Sequence, residues 1–202
     1  MKIRTRLKLN TWLSLGLLTL MLISLGWSLW EANRANKNVT LVGKIERAAF
    51  ERIMLRDDWL LYREERAKIQ WYVKTETLRK LLESASQKFT SKRARELLQD
   101  ARQDFNATRS LFTLILEKYQ PEKHAQKETL VFPKAESRAL SQVFLKAYSL
   151  NDNIGRVREN ALRDAETARD RLLVIIIFFV VGGIILIFTK SICSPITSSM
   201  FL

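Results

Sequence analysis

The apolar residues of this chain fall into two uninterrupted runs and several periodic stripes. From Thr11 to Trp30, TWLSLGLLTLMLISLGWSLW is 20 residues without a charge, and from Leu172 to Thr189, LLVIIIFFVVGGIILIFT is 18 more. At about 1.5 Å per residue, each run is long enough for a hydrocarbon layer of about 30 Å. Trp12, Trp27 and Trp30 stand near the ends of the first run, where amphipathic rings prefer the headgroup region. Both runs are read as transmembrane helices, at 11–30 and 172–189. A cleaved signal peptide competes for the first run, because MKIRTRLK supplies a basic start. Such peptides usually carry an apolar stretch of only about 7 to 15 residues, and no pair of suitably spaced small residues precedes a cut around Ser28 to Glu31.

Between Glu31 and Arg171 the only glycines are Gly43 and Gly155 and the only prolines Pro121 and Pro133, which predicts long helices. The last is the clearest. Leu140, Val143, Ala147, Leu150, Ile154, Val157, Ala161, Ala165, Ala168 and Leu172 recur three or four apart, with a local stutter after Ala161, and the seam enters the second apolar run without a breaker. A second amphipathic helix is expected from an N-cap at Ser91, with Leu97, Ala101, Phe105, Thr108, Phe112, Ile115 and Tyr119 on one face, ending at Gln120 and Pro121. EKHAQKETLVF, between the prolines, fits a short helix or a loop.

The segment from Glu31 to Ser86 has two readings. Its stripe runs through Leu41, Ile45, Ala48, Leu55, Trp59 and Tyr62, and then through Ala67, Trp71, Leu78, Leu81 and Ala85. As one helix it would reach about 84 Å, past a final helix of about 57 Å, and its far part would pair with little. A break near Tyr62 to Glu65 instead gives four helices alternating in direction, and every stripe finds a partner. No Gly or Pro marks that turn. The expected fold is all-α, with two transmembrane helices flanking an extracytoplasmic up-down bundle of four helices, or of three longer ones.

Charge orients the chain. Lys2, Arg4, Arg6 and Lys8 precede the first span with no anion among them, which holds residues 1–10 in the cytoplasm, puts 31–171 outside and returns 190–202 to the cytoplasm. The outer segment carries 29 Lys and Arg against 21 Asp and Glu, a surplus of eight positive charges that would draw anions. The external location and the lack of a nucleic-acid motif argue against DNA or RNA.

Little points to covalent chemistry. Cys193 is the only cysteine and His124 the only histidine, so no disulfide within the chain and no Cys/His metal cluster is expected. No phosphate-cradling loop, nucleophile motif or phosphoacceptor histidine motif occurs, and neither an enzyme nor a cofactor is expected. For a ligand, Arg52 is the first candidate, because it interrupts the stripe of Ala48, Leu55 and Trp59, and Arg56 lies one turn on. A buried arginine needs an acceptor, either a carboxylate on a neighbouring helix or a bound anion. Trp59, Tyr62, Arg66 and Trp71 are expected to gather near the turn, as a pocket lining or as core.

LRDDWLLYREERAKIQWY, Leu55 to Tyr72, resembles the segment joining the first two helices of four-helix-bundle and CHASE3-like sensors of bacterial histidine kinases, with Arg63 and Glu64 in place of the usual Gly-Asp turn. SICSPI, with Pro195, resembles the start of a HAMP domain, the dimeric parallel bundle that converts helix displacement into altered packing. The resemblance implies the periplasmic domain and cytoplasmic stub of a sensor histidine kinase in the bacterial inner membrane, as a homodimer, with HAMP and the output module following. Small side chains at Ala161, Ala165 and Ala168 are the expected dimer and transmission face. Partners then include the membrane and a small anionic ligand or a periplasmic protein. The competing function is a membrane-anchored helical protein that binds an envelope partner without signalling.

Overall fold

The computed structural model describes the backbone of residues 3–118 and 134–193 and the side chains of residues 12, 14–118 and 137–184. His124, Pro121, Pro133, Tyr119 and Pro195 lie outside these residues, as does the choice between helix and loop for EKHAQKETLVF. Four helices account for nearly all the described chain: α1 (Ile3–Tyr62), α2 (Glu65–Lys88), α3 (Lys92–Lys118) and α4 (Lys134–Cys193). No strand occurs among the described residues, so the fold is all-α.

The chain divides into two compact units, residues 36–163 and residues 1–35 with 164–202. In the first, all four helices contribute to the core. One apolar cluster joins Val42, Ile45, Leu78, Leu82, Leu98, Phe105, Leu150 and Ile154. A second joins Trp59, Ala67, Trp71, Phe112, Ile115, Leu116 and Val143. The helical periodicity survives almost residue for residue. Val143, Ala147, Leu150, Ile154, Val157, Ala161 and Ala168 are buried along α4, and Leu97, Ala101, Phe105, Thr108, Phe112 and Ile115 along α3. On α2 the buried stripe is Ala67, Trp71, Thr75, Leu78, Leu82 and Ala85. Leu82, not Leu81, takes the fully buried place.

Glu31 to Ser86 forms two helices, broken where no glycine or proline stands. Arg63 supplies the break with φ 55°, a left-handed conformation, and its N–H donates to the Trp59 carbonyl at 2.9 Å. That residue closes α1 as glycine usually closes a helix, at a steric cost of about 1–2 kcal/mol for a residue with a Cβ. Its guanidinium lies 4.3 Å from the Trp59 ring centroid, which offsets part of that cost. Arg63→Gly should therefore be more stable than Arg63→Ala by about 1 kcal/mol, the reverse of the order inside a helix. Chemical denaturation of the two variants checks this, and Ala equal to or better than Gly would refute it. α2 ends at the buried Phe89, whose N–H donates to the Ala85 carbonyl at 3.0 Å. The Ser91 carbonyl then accepts from the Arg95 N–H, as an N-cap residue's does.

In the other unit, apolar side chains face outward. Trp12 is 73%, Leu20 71% and Phe178 69% exposed. At the end of the first run the rings of Trp27 and Trp30 meet at a tilt of 52° with centroids 5.7 Å apart, Arg34 lies over Trp30, and Arg171 reaches Glu31 at 3.3 Å. Among the described residues one helix, within Ser14–Tyr62, is long and apolar enough to cross a membrane. The run Leu172–Thr189 lies in α4 and extends into residues whose side chains are not described.

Candidate functional site: a polar layer between two cores

Among the described residues of 36–163, every buried polar or charged one falls between the two apolar clusters. They are Arg52 and Arg56 on α1, Thr75 on α2, and Asp104 and Thr108 on α3. Each stands at a helical position that continues its own apolar stripe, so the packing that buries the stripe buries the polar group with it. The cost of that burial depends on whether each group finds a partner.

Asp104 is fully partnered. Lys146 Nζ donates to its Oδ1 at 2.8 Å, Ser149 Oγ to its Oδ2 at 2.6 Å, and Asn153 Nδ2 to the same oxygen at 3.4 Å. All three donors sit on α4, one turn apart, so the carboxylate ties α3 to α4. Thr108 turns back along α3 and donates to the Asp104 carbonyl at 2.6 Å.

Arg52 is partnered differently. It is 3% exposed, and its guanidinium lies over two rings, 5.1 Å from the Trp71 centroid and 5.0 Å from that of Phe105. Neither Nε nor Nη2 meets an acceptor among the described residues. Burial is the largest influence on its acidity, followed by the charges of Arg56 and Arg109, and together they push the guanidinium down to about 9. The carboxylate on a neighbouring helix that a buried arginine ordinarily takes is not supplied: Asp104 is committed to α4. Arg56 has a local acceptor, Asp57 Oδ1, at 2.7 Å from Nη2, and stacks on Phe144 at 4.2 Å.

The residues expected to gather at the turn separate into two groups. Arg52, Arg56, Trp59 and Trp71 are buried, and Phe112 joins the two tryptophans edge-on at 5.7 and 4.8 Å. Tyr62 is 69% exposed and Arg66 is exposed as well, so neither lines the layer. The reason is the turn itself: with Arg63 reversing the chain, Tyr62 is the last residue of α1 and points off its end. Ala161 is buried in the chain's own core and Ala168 is buried too, while Ala165 is half-buried. The close approach these small side chains permit is thus realised within the chain at Ala161. Among the described residues no group of three or more His, Cys, Asp or Glu is placed to hold a metal.

Sequence reading missed Asp104 and its α4 partners. The signal was the one that singled out Arg52, a charge set three and four residues from Ala101 and Thr108 inside an apolar stripe.

Comparison with protein-family models, with curated proteins and with solved structures finds no match to this chain.

Proposed function

We propose that this chain is the input and transmission part of a bacterial transmembrane receptor, with a sensor histidine kinase as the whole protein. Residues 31–171 form the periplasmic sensor bundle in this reading, and residues 11–30 and 172–189 are the two spans. The termini lie in the cytoplasm, where residues 190–202 begin a HAMP domain. The observation that carries the reading is α4, helical throughout Lys134–Cys193, with a buried seam that runs from Val143 to Ala168 and ends beside the apolar run. An anchor has no need of such a rod. Exposed apolar side chains on α1 and α4, with Trp27, Trp30 and Arg34 at the end of the run, are what a lipid-facing surface with an interfacial girdle requires.

The reading frame beyond Leu202 is the direct check. HAMP and kinase sequence there supports the proposal, and no output module in any frame returns the chain to the envelope-anchor reading. A functional check uses a fusion of residues 1–202 to a complete HAMP and kinase module. Destabilising the outer bundle by Asp104→Ala should change autophosphorylation. Adding Ala165→Pro, which removes a backbone hydrogen bond and kinks α4, should abolish that dependence without preventing membrane insertion. Equal dependence with and without the proline means that the signal does not travel through α4.

The receptor is proposed to act as a homodimer. With Ala161 and Ala168 already buried, the contact surface is assigned to the exposed apolar residues Phe50 and Met54 on α1 and Tyr148 on α4. A cysteine at Met54 should crosslink between subunits under mild oxidation and one at Ala161 should not. The opposite order would restore the alanine seam as the interface.

A further inference from the structure

The two nitrogens of Arg52 that lack an acceptor are Nε and Nη2. These belong to one edge of the guanidinium, the edge whose two N–H groups run parallel and bind one anion as a fork. The same group lies over the rings of Trp71 and Phe105, which offer it no hydrogen-bond acceptor of the carboxylate or carbonyl kind. The fork therefore remains as the open valence of a cation that burial has stripped of water. Beside it is a small, partly open cavity of about 10 Å³, lined among others by Arg52, Arg56, Thr108, Ala147 and Leu150. No carboxylate lines it.

The size of that cavity selects the ligand. A volume of about 10–15 Å³ by this measure is what a single water occupies. A carboxylate, nitrate, phosphate or sulfate has three or more heavy atoms and exceeds that volume. A monatomic anion fits. It also answers the electrostatics, because an unpaired buried charge costs several kcal/mol and a counter-charge in contact with it recovers much of that.

We infer that the Arg52 fork, with Arg56 beside it, is an internal binding site for a monatomic, halide-sized anion, chloride in physiological medium. The anion accepts from Nε–H and Nη2–H and completes the polar layer. Bound there, it touches α1, α3 and α4 at once, so its occupancy stabilises the folded bundle and not the unfolded chain. The inference does not depend on whether the bundle signals.

The test is thermal unfolding of the full chain in detergent, followed by circular dichroism, with sodium chloride titrated against sodium gluconate at constant ionic strength. Chloride and bromide should raise the midpoint by about 4 °C along a saturating curve, while nitrate at matched ionic strength should not. Arg52→Met should make the curve flat. Should that variant fail to fold, Ala147→Val, which fills the cavity and leaves the arginine in place, should also flatten it. A rise of equal size in nitrate, or a rise unchanged in either folded variant, means general ion screening and overturns the site. A midpoint indifferent to every salt overturns it equally and leaves water as the fork's acceptor.

Discussion

Asp104→Ala is expected to destabilise the bundle by about 3 kcal/mol. The carboxylate is buried and accepts from Lys146, Ser149 and Asn153, and the bond to the ammonium is charge-assisted. Truncation leaves Ser149 and Asn153 half-buried without that acceptor. It also leaves Lys146, whose side chain is 42% exposed, to turn toward water, which keeps the loss below that of a fully enclosed ion pair. Asp104→Asn retains the volume and one acceptor, and should lose about half as much. Urea unfolding of the three proteins gives the order wild type, Asn, Ala. A loss below about 0.5 kcal/mol for Ala would mean that α3 and α4 are held by their apolar seams alone.

That carboxylate also marks how far the sequence was legible. Burial along α3 and α4 follows from spacing, because a helix presents residues three and four apart on one face whatever their neighbours do. The break after Tyr62 was legible only as geometry: one long helix would have left Trp71 and Leu78 without a partner. Its chemistry was hidden, since Arg63 takes a conformation that composition assigns to glycine and is held there by stacking on Trp59. Arg52 announced itself as a charge inside an apolar stripe. Its relation to the rest of the layer did not, because pairing across helices depends on axial register. A one-turn difference in how α4 meets α3 would have offered Lys146 to solvent and left Asp104 free for an arginine. The exposure of Tyr62 and Arg66 has the same origin, as the turn's exact residue decides which side chains face inward.

Arg52→Met, measured in chloride-free buffer near pH 7, is expected to stabilise the protein by about 1–4 kcal/mol. Methionine keeps the unbranched stem that packs near Trp71 and Phe105 and removes a cation whose Nε and Nη2 meet no acceptor among the described residues. The pH dependence separates this cause from better packing. Burial first, then the charges of Arg56 and Arg109, lower Arg52 well below the ordinary guanidinium range, to about 9. An unfolded chain keeps the proton up to about pH 12, while the folded chain releases it from about pH 9. Between those values the unfolded state binds more protons, so wild-type stability gains as pH rises, by roughly 1 kcal/mol per pH unit. The methionine variant has no such contribution, and the lysines and tyrosines common to both proteins cancel in the difference. The stability gap should thus be constant below about pH 8 and close progressively between pH 9 and pH 11. A gap that stays constant through pH 11 would assign the gain to packing, and a methionine variant less stable than wild type would mean that the guanidinium already has its counter-charge within the protein.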